Sequence, residues 1–190
     1  MPLYIMYLSI DVGIKNLAYI VYDGEKIVDW KVVEICDPKM NANHLTMVDL
    51  GKGLFTALET IIDKIDLILI ENQIGQNAIR MKSLQGMITM YFISKGKCNI
   101  QYWNAGNKLK RFLKTKTTYT QRKKIGVKLT NYLLEEHFPE QIAYFKTHKK
   151  KDDLADCLLQ LFDYLGKNEK LKDDFFIKTI NLYNAIDLKL

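Results

Sequence analysis

The first 35 residues alternate between apolar runs and short polar breaks. "LYIMYLSID" (3–11), "LAYIVYD" (17–23) and "KIVDWKVVEI" (26–35) are rich in β-branched and aromatic residues, and "VGIKN" and "DGE" separate them. That pattern predicts an antiparallel three-strand meander. From 46 to 64 the apolar positions Met47, Leu50, Leu54, Leu58, Ile61 and Ile62 recur with a period near 3.6, which predicts a helix. "DLILIEN" (66–72) is continuously apolar and too short for a helix, so it reads as a central strand covered on both faces. A methionine-rich helix follows over 76–93, then a fifth strand over 98–104. Helices are predicted from about Gln121 to His137 and from Lys151 to Leu165, with a loop at Pro139 between them. The last of these carries its core stripe on Leu154, Leu158, Leu161 and Leu165. Residues 167–190 read either as a capping helix or as a partly ordered extension.

Three antiparallel strands followed by βαβ crossovers define an α/β fold of ribonuclease H-like architecture. The expectation is a mixed five-stranded sheet with helices on both faces. With 190 residues and no internal repeat or Pro/Gly/Ser linker, residues 1–190 are expected to form one domain. The apolar fraction is 48%, yet no apolar run approaches the roughly 18 to 20 residues that span a bilayer, so no membrane partner is expected. The opening segment lacks a basic n-region and runs straight into Asp11, so it reads as a strand rather than as a targeting peptide. Cys36, Cys98 and Cys157 are single and widely spaced, which fits a reducing, intracellular compartment better than a disulfide framework.

Charge adds a second signal. Residues 1–71 hold 11 acids and 6 bases and residues 135–190 hold 11 acids and 9 bases, whereas residues 72–134 hold 13 bases and no acid. Within "KLKRFLKTKTTYTQRKKIGVK" (108–128), nine bases are interleaved with Phe112 and Tyr119, which suit packing on a sugar or base. Lys108, Lys110, Arg111, Lys114, Lys116, Arg122, Lys123 and Lys128 are the candidate DNA-phosphate contacts. The plainer reading of the same stretch is a solvated helix face.

Asp11 ends the first strand and Glu71 the fourth. If those strands lie side by side and parallel, both carboxylates emerge at one edge of the sheet, where ligands of open α/β sheets sit. In "KKKDDLADCLLQ" (149–160), Asp153 and Asp156 share a helix face near its N-terminus. Each acid alone is an ordinary turn, strand-end or helix-start residue. Gathered together they repel unless a cation neutralises them. Four hard oxygen donors suit Mg²⁺, with Mn²⁺ as substitute, better than zinc. Two such ions about 3.5–4 Å apart would serve phosphodiester hydrolysis. His44, His137 and His148 have no ligand spacing to one another, which argues against a zinc or histidine-nucleophile enzyme.

"SIDVGIKNLAYIVYD", "LILIENQ" with the following "RMKSLQGMITMYF", and "KKDDLADCLLQ" together resemble the RuvC-like Holliday junction resolvases. The likeness is to the branch of poxviruses and other large DNA viruses of eukaryotes, with yeast mitochondrial resolvases more distant, and it runs from about Leu3 to Leu165. The resemblance implies a homodimeric, Mg²⁺-dependent endonuclease that resolves four-way DNA junctions by paired symmetric nicks, working in cytoplasmic viral replication factories. By motif it makes Asp11, Glu71, Asp153 and Asp156 metal ligands, with Asp152 a weaker candidate beside them. It also implies a catalytic lysine before the penultimate helix, for which "QRKKIG" offers Lys123 and Lys124, with Lys124 preferred. The basic segment 104–130 and the tail depart from the bacterial pattern. The helix over 76–93 is a candidate dimer interface or an ordinary sheet-covering helix. Two rivals stand beside this reading: a non-catalytic protein that binds branched DNA, and an ATPase of the actin-like or sugar-kinase type, whose phosphate turn also follows strand one.

Overall fold

A computed structural model describes residues 5–61, 63–74, 78–104, 106, 108–113 and 117–186. Its internal contacts divide the chain into two compact units, Met1–Asn104 and Ala105–Leu190.

The first unit is the sheet. Strands β1 (Tyr7–Val12), β2 (Asn16–Tyr22) and β3 (Ile27–Glu34) form the meander, α1 (Met47–Leu58) leads to β4 (Leu67–Glu71), and α2 (Ile79–Ser94) leads to β5 (Ile100–Trp103). The strand order is β3-β2-β1-β4-β5. β1 is antiparallel to β2 and parallel to β4, and β4 is parallel to β5, as the sequence pattern predicts. The β2–β3 turn is built by Asp23, whose Oδ1 accepts from the amides of Glu25 at 3.0 Å and Lys26 at 2.9 Å. Gly24 there takes a φ of 98°, a region costly for any residue with a Cβ.

Alternation along the strands sorts the two faces of the sheet. Leu8, Ile10, Val12, Ile68 and Ile70 join Leu50, Leu54 and Leu58 of α1 and Leu84, Ile88 and Phe92 of α2 in one apolar core. Tyr7, Ser9, Leu67 and Leu69 point to the opposite face and are buried as well. Helix α1 starts on a reciprocal cap, in which Thr46 Oγ1 accepts from the Asp49 amide while Asp49 Oδ2 accepts from the Thr46 amide. The helix stops at Leu58, short of the predicted 64. Thr60 Oγ1 takes the Ala57 carbonyl at 2.7 Å, and the chain turns there while Ile61 and Ile65 remain in the core. The apolar period therefore outruns the helix because a turn carries Ile61 inward.

The second unit is helical: α3 (Tyr119–His137), the short α4 (Ile142–Thr147), α5 (Lys151–Lys167) and α6 (Asp174–Ile186). α3 begins two residues before the predicted start, on a second reciprocal cap between Thr118 and Gln121. α5 is buried over most of its circumference, from Leu154 and Ala155 through Cys157 to Leu165. The tail adopts the capping-helix alternative. Phe176 and Thr179 of α6 are buried, the Phe175 ring stacks on His137 at 3.8 Å, and Lys178 Nζ meets Glu136 Oε2 at 3.0 Å. Two members of the acid-free segment face this cap. Phe112 is buried against Phe176 with ring centroids 6.1 Å apart, and the Arg111 guanidinium lies 4.7 Å over the same ring while bonding Asp173 at 2.7 Å. Phe112 is thus a core residue rather than a stacking platform for a base.

Gly53 of α1 marks the closest packing in the first unit, since a Cβ placed there would fall 1.7 Å from the Ile35 carbonyl oxygen. Gly53→Ala forces α1 away from the end of β3 and should cost about 3 kcal/mol or more. Urea unfolding measures this, and an unchanged midpoint would contradict the packing described.

Candidate functional site

The parallel ladder pairs Tyr7 with Leu67 and continues to Ile10 with Ile70. The next residue on each strand is an acid, Asp11 on β1 and Glu71 on β4, so the two occupy equivalent positions at the C-terminal edge. Both follow the parity of Tyr7, Ser9, Leu67 and Leu69, and so lie on the face opposite the α1–α2 core. Each is partly exposed.

Two glutamines that the sequence reading does not single out hold this edge. Gln73 Nε2 donates to Glu71 Oε2 at 3.0 Å, and the Gln73 amide donates to Gln85 Oε1 at 3.0 Å. Gln85 is a buried polar side chain on the sheet-facing side of α2. It ties the turn after β4 to that helix, and the turn in turn orients the Glu71 carboxylate. The available signal is "IENQ" followed twelve residues later by a glutamine within an apolar helix face, a place where an amide needs a partner.

In the second unit the acids of α5 are met by lysines. Lys123 Nζ of α3 donates to Asp152 Oδ2 at 2.5 Å, and both side chains are about one-third exposed. Burial pulls the Lys123 pKa down, but the hydrogen bond and charge of Asp152, with a contribution from Tyr119, raise it above the ordinary lysine value. Burial pushes Asp152 up, and Lys123 outweighs it, holding that carboxyl below the usual range. Asp153 goes the other way: burial first, then the charges of Asp152 and Asp156, push its carboxyl up. Asp156 Oδ1 meets Lys108 Nζ at 2.8 Å.

The candidate basic residues therefore divide. Lys108 and Lys123 are engaged with α5 acids, and Arg111 holds α6. Lys110, Arg122, Lys124 and Lys128 are exposed, with Arg122 Nη1 donating to the Thr117 carbonyl at 2.9 Å. Lys114 and Lys116 lie outside the described residues. Of the two lysines weighed for catalysis, Lys123 faces the acids and Lys124 faces solvent.

The four nominated carboxylates divide between the units, Asp11 and Glu71 in the first and Asp153 and Asp156 in the second. Among the described residues no group of three or more His, Cys, Asp or Glu is gathered to hold a metal ion. By chemistry, this donor set fits a hard divalent cation. It offers carboxylate oxygens alone, which are hard donors, and the upward push on Asp153 comes from burial first and from the neighbouring carboxylates second.

The comparisons with known proteins agree with this architecture. The uncharacterized protein L451 of Acanthamoeba polyphaga mimivirus is 32% identical over 121 residues, a match covering 53% of this chain and 29% of that protein. The chain thus spans less than a third of the curated relative it matches. Among solved structures, the fowlpox virus Holliday junction resolvase superposes with a TM-score of 0.63 at 15% identity, covering 86% of this chain and 99% of that one. T. thermophilus RuvC in complex with Holliday junction substrate superposes with a TM-score of 0.55 at 12% identity, covering 87% and 97%. These likenesses identify the fold as the RuvC-like form of the ribonuclease H-like architecture. The family model described as Poxvirus A22 protein matches residues 5–168, and a chain matched over that much of its length belongs to the poxvirus A22 protein family.

Proposed function

We propose that the protein is a metal-dependent endonuclease that resolves four-way DNA junctions by paired nicks, acting as a homodimer. The observation that carries this reading is the placement of Asp11 and Glu71 immediately after the last registered pair, Ile10 with Ile70, of two parallel strands, in a chain of the poxvirus A22 family. Fold neighbours named as a Holliday junction resolvase and as RuvC bound to a Holliday junction substrate support the choice of DNA substrate.

In this account Asp11, Glu71, Asp153 and Asp156 hold the metal, Mg²⁺ with Mn²⁺ as substitute, two ions per site. When bound, hard divalent cations supply Lewis-acid chemistry at the phosphate and make a water acidic enough to attack it. The chain's own groups do the rest. Gln73 fixes the Glu71 carboxylate through its 3.0 Å hydrogen bond, and Gln85 fixes Gln73. Lys123, kept protonated through the neutral range by Asp152, supplies positive charge toward the phosphate as negative charge develops there. We assign this role to Lys123 in preference to the exposed Lys124. Lys110, Arg122, Lys124 and Lys128 contact the DNA backbone.

Paired cuts across a two-fold junction are made most simply by two copies related by a two-fold axis. The outer face of α2 suits that contact. Ile79, Met90 and Ile93 are 72%, 61% and 43% exposed, and a Cβ on Gly86 between them would meet nothing. Met87 instead packs toward Gly51 of α1. Met90→Asp should therefore give a folded monomer by sedimentation, and a Met90→Asp protein that remains a dimer would remove α2 as the interface.

Cleavage of an end-labelled four-way junction, beside a flap and a linear duplex of matching sequence, tests the activity itself. With Mg²⁺ the wild type should make paired nicks near the crossover, and EDTA should abolish them. Asp156→Asn and Lys123→Met should each lose about a hundredfold or more in rate, whereas Lys124→Met should stay within about threefold. Tight junction binding without cutting by the wild type would favour a non-catalytic branched-DNA-binding protein. Equal losses from the two lysine variants would overturn the assignment to Lys123.

A further inference from the structure

Three helices of the second unit meet around a pocket of about 260 Å³. α3 contributes Lys128, Asn131 and Tyr132 from one flank, α4 contributes Phe145 and Lys146, and α5 contributes its first residue, Lys151. Phe145 is 1% exposed and makes an apolar floor, while Tyr132 is half-buried in the wall. The three lysines come from three different helices, and none of the lining residues is acidic. Glu135 stands beside the pocket, accepting from Asn131 Nδ2 at 2.7 Å and from Lys146 Nζ at 3.4 Å. One carboxylate therefore holds two of the polar groups in place, while the lining residues themselves include three lysines and no acid.

Three ammonium groups around a hole with an aromatic wall and an apolar floor are a poor arrangement for a neutral ligand. They suit a ligand with an anionic end and a flat apolar part. Ligand pockets run from roughly 300 to 1,000 Å³, so this one, at about 260 Å³, falls just below that range and suits at most a single nucleotide rather than a length of strand. Exposed Lys124 lies one helical turn before Lys128 on the same face of α3, so positive charge continues out of the pocket along that face. A free nucleotide has no use for that track, whereas the neighbouring phosphates of a strand do.

We infer that this pocket takes one unstacked nucleotide of a DNA strand, its phosphodiester among Lys128, Lys146 and Lys151 and its base against Tyr132. The inference rests on the proposed action on branched DNA, because a strand leaving a branch point offers unstacked nucleotides that a closed duplex does not. It adds to that reading a site among α3, α4 and α5 that senses an open strand.

The test is fluorescence anisotropy with the full chain in EDTA, comparing a short labelled oligothymidylate with the same strand carrying abasic positions. The wild type should bind the oligothymidylate about tenfold more tightly. Tyr132→Ala should lose that preference and Tyr132→Phe should keep it, which separates loss of the ring from loss of the fold. Lys128→Gln with Lys146→Gln should weaken both strands alike. Equal wild-type affinity for the two strands, or a base preference that survives Tyr132→Ala, would overturn the inference. So would thymidine monophosphate competing as well as the oligonucleotide, which would assign the pocket to a free nucleotide. Junction cutting measured on the same preparations keeps the two readings apart: intact cutting with no base preference defeats only the pocket, and absent cutting by the wild type defeats the proposed function.

Discussion

The parallel pairing of β1 with β4 is the constraint on which the rest of the first unit depends. Neighbouring strands lie about 4.8 Å apart, and two unit charges at that separation repel by roughly 3 kcal/mol at an effective dielectric near 20. A hydrogen bond to an ionised carboxylate, such as the one from Gln73 to Glu71, contributes roughly 1.5–3 kcal/mol and offsets part of this. The ladder nevertheless holds Asp11 and Glu71 at equivalent positions, and it does so with Ile10 and Ile70 locked beneath them in the core. Under the proposed function, a cation bound at this edge, where α/β sheets bind ligands, relieves that repulsion. The connection through α1 brings the chain to β4, and the Gln85 tie from α2 fixes the turn that follows β4.

The second unit handles its acids differently. Asp152 and Asp153 sit in the first turn of α5, where the helix dipole favours negative charge, but Asp153 is half-buried among like charges and its carboxyl is pushed up. Lysines from elsewhere in the unit meet the neighbours, Lys123 at Asp152 and Lys108 at Asp156. The acid-free segment 72–134 therefore has more than one task. Part of it balances α5, part holds the capping helix through Arg111 and Phe112, and the exposed remainder is left for a polyanion. Basic composition alone does not separate these tasks, because a lysine in an ion pair and a lysine on open surface look the same in a sequence.

Much of the fold was legible because apolar periodicity decides strand and helix where burial is strong. The meander, the central β4, the position of both strand-end acids and the α5 stripe follow from it directly. The misses have physical causes. α1 ends early because Ile61 reaches the core from a turn, which a helical period counts as helix; Ile62, the last member of that period, lies outside the described residues. α3 starts early on a Thr118–Gln121 cap that "TYTQ" spells out but that the basic run obscures. Phe112 was placed with the DNA contacts because its partner, Phe176, lies in a tail whose packing no local pattern announces. Which of Lys123 and Lys124 faces the α5 acids is a matter of helix phase: Lys123 continues the line of buried Gly126 and Thr130, whereas Lys124 precedes exposed Lys128 by one turn. Gln85 was invisible for a different reason, since its partner is a backbone amide that only the folded turn presents.

The proposal most in need of a test is that Asp11, Glu71, Asp153 and Asp156 are metal ligands of one reaction. Mn²⁺ binding followed by electron paramagnetic resonance tests it most directly, on the wild type, Glu71→Gln and Asp153→Asn, with circular dichroism confirming that each is folded. The account predicts saturable binding in the wild type and at least a tenfold weakening in either variant, because each removes a ligand to the same ions. Wild-type affinity retained in Asp153→Asn, alongside loss in Glu71→Gln, would show that the α5 acids do not hold the metal and would contradict the account.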